Sequence, residues 1–546
     1  MTRSVSLGGD YTLTLAASVL HLRGNAVQAQ PYISERGDIL CWNGEASAGC
    51  ILGIAPTEND GAKLFAALSA TSSSMEVVEI FAKLEGPYAF VFYSAAESAL
   101  YFGRDPLGRR SLLVQHPTTE LPVFALSSAS AGHETTPALE ELSTERIFRL
   151  DFNELRDLFP TSSDFLTPLP RIGPAGKQFC LIPTVNLEVV APELPVAATT
   201  PVAEDFMHTV SDFIAVLDSS VRLRVQDIPP LSPTTETLLP DEGPPARVAV
   251  LFSGGIDSSM VAFLADRHVP PDEPIDLLNV AFENPRKLRA LQEPQQPRMH
   301  KRKKLGMPQE PIVPSYMVPD RVTGLEELEE LRSLRPARRW NFVEVNVDYQ
   351  ECTRLRPDVE ALMHPSKTIM DLSLALALYF ASRGQGTIKT HEGGTHQYRS
   401  RARVILSGLG SDELLGGYGR HKTAYLSGGW PALLDELQLE LSRIPTRNMG
   451  RDDRIISSHG KEARYPFLSL SVVNFLASLP VHLKVDPRMG DGAGDKMLLR
   501  AAARQLGLVC ASSQRKRAMQ FGSQSARMEE GASRRGDVNV APARKE

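Results

Sequence analysis

Cysteine is scarce in this sequence and long apolar runs are missing. Five cysteines, Cys41, Cys50, Cys180, Cys352 and Cys510, are scattered over 546 residues without a C-x-x-C pair. That spacing supports neither a disulfide framework nor a structural zinc site, and it points to a reducing, cytoplasmic setting. No stretch approaches the roughly eighteen apolar residues that cross a bilayer. The early run LTLAASVLHLRG is interrupted by His21 and Arg23, which argues against a signal peptide. A large excess of one charge is also lacking: a net charge of −6 gives no whole-chain attraction to nucleic acid or membrane. With 42% hydrophobic and 23% charged residues the chain is ordinary globular material. Its length corresponds to three or four domains at about 150 residues each, or to two enlarged by insertions.

Short β-type runs fill the first 151 residues: 18–24, 38–44, 88–93, 99–103, 110–115 and 123–128, with a helix expected over 61–68. Residues 152–203 gather prolines and read as a surface crossing and linker. Apolar residues then recur at three- and four-residue spacing from Phe206 to Val221, as in an amphipathic helix. The almost unbroken apolar run 246–252 meets Ser-Gly-Gly and a helical pattern at 258–268. Runs 275–282, 340–348 and 403–408 repeat the buried-strand signature, with helices around 324–334 and 369–383, so a doubly wound parallel sheet is expected. Three polar insertions interrupt it, at 226–245, 286–316 and 384–401. The second holds eight Lys/Arg against one Glu over 286–304, read as a solvated loop rather than a nucleic-acid patch because no aromatics are interleaved. His391 and His396 in the third lack further ligands at metal-binding spacing.

The densest chemistry is LFSGGIDSS at 251–259. Gly254 and Gly255 permit close backbone approach to a phosphate, the helix start aims N–H groups at the anion, and Ser253, Ser258 and Ser259 add hydroxyls. Asp257 would repel a phosphate unless a cation lay between, so it reads as a Mg²⁺ ligand on a nucleotide triphosphate. No P-loop lysine is present, which disfavours that class of kinase or GTPase. A second Ser-Gly-x-Gly turn, in ILSGLGSDELLGGYGRHK at 405–422, follows another buried strand, with Asp412 and Glu413 beside it. Two such turns on one sheet edge can hold a nucleotide between them, Asp257 and Asp412 sharing the metal. The plain alternative for each is a glycine turn with no function.

SGGIDSS resembles the pyrophosphate loop of the ATP pyrophosphatases, and SGLGSDELLGGYGRH is similar to the second signature of the asparagine synthetases. DDRIISSHGKEARYPFLS (452–469), GDKMLLRAAA (494–503) and RKRAMQFGSQSARM (515–528) also resemble family segments, the last that of the asparagine synthetase domain-containing branch. The resemblance spans roughly 204–530 and implies an ATP pyrophosphatase (PP-loop) domain that activates aspartate as β-aspartyl-AMP and then forms asparagine with nitrogen from glutamine or ammonia. It implies ATP and Mg²⁺ on Leu251, Ser253, Gly254, Gly255, Asp257, Ser258, Ser259, Val280, Ser407, Gly408 and Lys496, with Asp257 and Asp412 on the metal and Asp371, Asp412 and Glu413 near the acid substrate. Leu251 and Val280 are equally well core strand residues, and Asp371 a helix-opening carboxylate. Where the family has Ser-Gly-Glu-Gly, this chain has Leu409. Glu413 or Glu462 would have to supply a base.

WNGE (42–45), GPYAFVFY (86–93) and LYFGRDPLGRRSLL (100–113) resemble the glutaminase domain of class II amidotransferases, an N-terminal-nucleophile (Ntn-hydrolase-type) αββα sandwich. The resemblance implies an oxyanion hole from Asn43 and Gly44 and glutamine binding by Arg23, Asn43, Gly44, Glu45 and Asp60, with Arg104 and Asp105 in a structural turn. The nucleophile of that class is an N-terminal cysteine; position 2 is Thr2, so glutaminase activity is expected to be absent. The expected organisation is an amidotransferase-like unit at 1–195, a linker at 196–205, the synthetase unit at 206–530 and a flexible tail at 531–546. Two rival readings stand beside the ligase: an adenylating ligase with a different acceptor, and a catalytically degenerate nucleotide-binding regulatory or scaffold protein. The expected partners are small molecules.

Overall fold

The computed structural model describes residues 1–7, 11–46, 53–55, 57–130, 139–154, 165–171, 182–189, 204–230, 244–284, 316–389, 393–490, 492–528 and 539. The basic segment 286–304, residues 231–243, residues 196–203 of the expected linker, and the tail apart from Asn539 lie outside them, as do Cys50, Cys180 and His391. Cys41, Cys352 and Cys510 form no disulfide among the described residues. No helix is long and apolar enough to cross a membrane, among the described residues.

The chain folds as mixed α/β with several sheets. In the N-terminal half, six strands in the order 166–170, 146–151, 99–104, 88–94, 39–44 and 32–33 form an antiparallel sheet. Tyr88–Ser94 and Ala99–Arg104 are buried almost throughout, so both faces must be covered. Helices Asp60–Ser69 and Ser74–Ala82 cover one, packing Leu64, Leu68, Val77 and Phe81 on Trp42, Tyr88 and Phe90. The other carries Leu15 and Val5 from a separate hairpin, Thr2–Ser6 with Thr12–Ala16, and Val114 from a three-stranded sheet. The strand expected at 18–24 does not form. That stretch runs unpaired in irregular backbone, turns at Gly24 in the left-handed region (φ +82°), and buries Arg23, a placement a regular edge strand would not give.

The C-terminal half is built on seven strands in the order 395–399, 385–389, 340–347, 275–282, 248–251, 404–406 and 462–464. The five from Trp340–Val347 to Glu462–Arg464 run parallel. All eight residues of Ile275–Phe282 and all four of Val248–Leu251 are buried, as apolar runs covered on both faces require. Residues 385–389 and 395–399, expected as part of a polar insertion, instead extend the sheet as an antiparallel hairpin. The helix read from Phe206 onward spans Glu204–Val225 and buries Val210, Phe213, Leu217 and Val221.

Candidate functional site

Parallel strands end on the same edge, so the turns after Leu251 and Leu406 lie side by side. Gly254 has φ +73°, and a Cβ there would sit 2.2 Å from the Gly324 nitrogen, so this turn accepts only glycine. Asn279 Nδ2 donates to the Phe252 carbonyl at 2.8 Å and Thr323 Oγ1 to the Ser253 carbonyl at 3.1 Å, fixing the loop from beneath. Helix Ile256–Asp266 starts at Gly255 with no side-chain cap, leaving its first N–H groups to an outside acceptor. Ser258 Oγ donates to the Gly255 carbonyl, and Ser259 is fully buried behind the loop. A Cβ on Gly408 would lie 2.7 Å from Asp257 Cβ, so the two turns are in contact.

Lys496 joins them. Its ammonium donates to both Asp257 oxygens at 2.7 Å and to Ser411 Oγ at 3.1 Å, and pairs with Asp412 Oδ1 at 2.6 Å, while the side chain is 1% exposed. Burial opposes its charge, but Asp257 and Asp412 outweigh burial and hold the ammonium well above its usual range. Burial likewise works against ionised Asp412, and Lys496 and Lys516 overcome it, holding the carboxyl well below the usual range. Lys516 pairs with Asp412 Oδ2. Nothing in Arg515-Lys516-Arg517 marks the lysine as facing a carboxylate more than a hundred residues upstream, so Lys516 could not be singled out from sequence.

Two carboxylates on one ammonium are a donor set suited to Mg²⁺, which takes one or two carboxylates and completes its shell with phosphate oxygens and water. No three His, Cys, Asp or Glu converge on a metal position among the described residues, so these alone offer no full cage.

Glu413 and Glu462 now separate. Glu462 is tied to Arg110 at 2.6 Å and Arg464 at 2.7 Å; burial pushes its carboxyl up, and the two guanidiniums bring it below the usual range. Glu413 is raised by burial and by Asp412, accepts from Tyr418 Oη at 2.5 Å, and leaves Oε2 without a partner among the described residues. It lines a small cleft with Leu409, Gly410, Ile444, Met449 and Leu468. Asp371 accepts from Arg451 Nη1 at 2.5 Å and from Thr368 Oγ1 at 2.6 Å, so its charge is already matched at a helix start. Leu251 and Val280 sit in the sheet core.

In the N-terminal half, Arg23, Glu45 and Asp60 converge. Arg23 Nη1 donates to the Ala46 carbonyl at 3.2 Å and pairs with Glu45 Oε1 at 3.3 Å; its Nε and Nη2 are buried without partners among the described residues. Asp60 accepts from Ala46 N at 2.9 Å and Trp42 Nε1 at 3.2 Å, and burial still raises it. Burial pushes Glu45 up to about 7 against the pull of Arg464. Asn43 is exposed at the end of its strand, and Gly44 packs so closely that a Cβ would lie 2.7 Å from the Pro87 carbonyl oxygen. Thr2 is exposed on the separate hairpin, paired with Ala16, and no hydrogen bond joins it to Asn43 among the described residues. Arg104 and Asp105 form a buried turn: Asp105 accepts from Leu107 N and Arg109 N, and Arg104 donates to the Gly108 and Arg110 carbonyls.

The asparagine synthase family model matches residues 245–304 and 425–536. Asparagine synthetase domain-containing protein 1 of Bos taurus is 38% identical over 95% of this chain and 89% of its own length, and that of Homo sapiens 37% over 95% and 89%. A Saccharomyces cerevisiae asparagine synthetase domain-containing protein is 33% identical over 96% of this chain and 86% of its own. Among solved structures, the allosteric regulatory enzyme of purine biosynthesis covers 51% of this chain and 50% of its own at 12% identity and TM-score 0.22, too slight a likeness to bear on the fold.

Proposed function

The chain belongs to the asparagine synthetase domain-containing protein family, and from that premise we propose that it is an ATP-dependent ligase that adenylates the side-chain carboxylate of aspartate and passes the acyl group to ammonia. One observation carries the reading: two glycine turns from one parallel sheet edge touch, with Asp257 and Asp412 both bound to the buried ammonium of Lys496. A carboxylate is a poor electrophile, so the acid attacks the α-phosphate of ATP; the bond to the β-phosphate breaks and pyrophosphate leaves. The first turn, with Ser253, Ser258 and the uncapped helix start, binds the departing pyrophosphate. Asp257 and Asp412 would hold Mg²⁺, which would neutralise charge on the phosphates. Lys496 stabilises the negative charge that gathers on the leaving oxygen.

In the second half, ammonia attacks the acyl carbon, AMP leaves, and Glu413 takes the proton released from nitrogen. Its raised carboxyl and partnerless Oε2 beside Leu409 suit it to that task better than the ion-paired Glu462. Arg23, Glu45 and Asp60 are proposed to bind glutamine with Asn43 and Gly44. Free ammonia is the proposed nitrogen donor, since Thr2 stands exposed on its own hairpin.

The two half-reactions leave an isotopic mark. With oxygen-18 in the aspartate side-chain carboxylate, one label per turnover is expected in AMP, and AMP without label would refute adenylation of that acid. Leu409, an apolar side chain in the same cleft as Glu413, favours a second reading in which a less polar carboxylic acid is the acceptor. The same experiment with a panel of labelled acids decides between them.

A further inference from the structure

We propose that Lys516 is a second phosphate-binding lysine of this site, one that leaves Asp412 for the β- and γ-phosphates when nucleotide and metal arrive. The inference rests on the nucleotide reading above. The two lysines on Asp412 differ in kind. Lys496 is 1% exposed, held by three partners, and stands at a helix start. Lys516 is 28% exposed, and its only ion pair among the described residues is with Asp412 Oδ2.

Its segment has no regular structure but is pinned on both sides. Arg500 Nη1 donates to the Gln514 carbonyl at 2.9 Å, and Arg517 pairs with Asp320 at 3.6 Å. Lys516 is therefore delivered to the rim of the site by a fixed backbone. Its ammonium, 5.7 Å from the Tyr418 ring centroid, ends a flexible four-carbon stem.

Charge balance argues for movement. Asp257 and Asp412 are neutralised here by Lys496 and Lys516. A divalent cation on the two carboxylates takes over that neutralisation, leaving two ammonium groups in excess beside a polyphosphate. Lys496 is confined beneath the loops, whereas Lys516 is free to turn outward. Its targets are then the phosphates beyond the α position.

The test measures Mg²⁺-dependent binding of ATP, inorganic pyrophosphate and AMP to the full chain by calorimetry. Wild type, Lys516→Gln and Lys516→Arg are compared, with thermal unfolding as a check on folding. Lys516→Gln is expected to weaken ATP and pyrophosphate about tenfold or more, a typical loss for one charge-assisted contact. AMP binding should be unchanged, and Lys516→Arg should retain most affinity. Equal weakening of all three ligands, or of none, overturns the proposal. If wild type binds neither ATP nor pyrophosphate, the nucleotide reading falls and takes Lys516 with it; if wild type binds both and Lys516→Gln does too, only Lys516 is refuted.

Discussion

At the scale of single residues, the sharpest consequences concern buried charge. Lys496→Ala leaves Asp257 and Asp412 without the ammonium that both share; breaking such a buried group costs about 3–5 kcal/mol. The expected result is a lowered melting temperature together with loss of pyrophosphate release. Glu413→Gln separates the half-reactions: amide formation should fall at least about tenfold, while formation of AMP-acid and pyrophosphate persists, and equal loss of both would place Glu413 elsewhere in the mechanism. Glu327 adds a pH signature. Burial, then the neighbouring Glu330, push its carboxyl from 4.5 up to about 8. The folded chain therefore holds a proton that the unfolded chain releases near pH 4.3. The resulting stabilisation is complete below that pH and lost as pH rises through about 8. Glu327→Gln, neutral at every pH, should melt higher than wild type near pH 9 and alike near pH 4; a wild-type melting temperature falling no faster than the variant's between those values would contradict this. The glycines and Asp257 were legible in sequence because their chemistry is local. Lys516, Arg464 and Arg110 were not, because their roles depend on partners that only folding brings near.

At the scale of elements, the two turns act as one device because they touch. Gly408→Ala would place a Cβ 2.7 Å from Asp257 Cβ, pushing apart loops whose contact sets the spacing of Asp257 and Asp412. The fold should survive, since the change is one methyl at a strand end, while affinity for ATP drops about tenfold or more; unchanged affinity would show that the turns do not hold the ligand jointly. The strands behind them could be read from sequence because burial on both faces leaves an apolar run, as in VAVL of Val248–Leu251. Where burial is one-sided the signal weakened. Thr2–Ser6 and Thr12–Ala16 are hydroxyl-rich and partly exposed, so their pairing left almost no trace. Residues 395–399 carry a polar pattern that reads as loop until a sheet edge receives it. The run 18–24 shows the reverse error, alternating like a strand but spent on burying Arg23.

Across the whole molecule, the halves are joined by buried ion pairs rather than by apolar contact alone. Arg110 reaches Asp453 at 3.0 Å and Glu462 at 2.6 Å, Arg109 donates to the Leu468 carbonyl at 2.8 Å, and Arg464 pairs with Glu45. Arg464 also gives its carbonyl to the Ser407 N–H at 3.0 Å, so one residue touches both the Glu45 cluster and the second turn. Arg110→Met leaves Asp453 and Glu462 buried without it, a loss of about 3–5 kcal/mol at the joint. Calorimetric unfolding should then resolve into two transitions, and a single transition at the wild-type temperature would show that these pairs do not bind the halves together. The central claim is that the joined turns activate a carboxylate on ATP. Exchange of labelled pyrophosphate into ATP, measured on the full chain with Mg²⁺ and with or without aspartate, tests it most directly. Exchange is expected to require aspartate and to vanish in Asp257→Asn and Lys496→Ala. Tight ATP binding with no exchange for any carboxylic acid would contradict it and leave a nucleotide-binding protein without ligase chemistry.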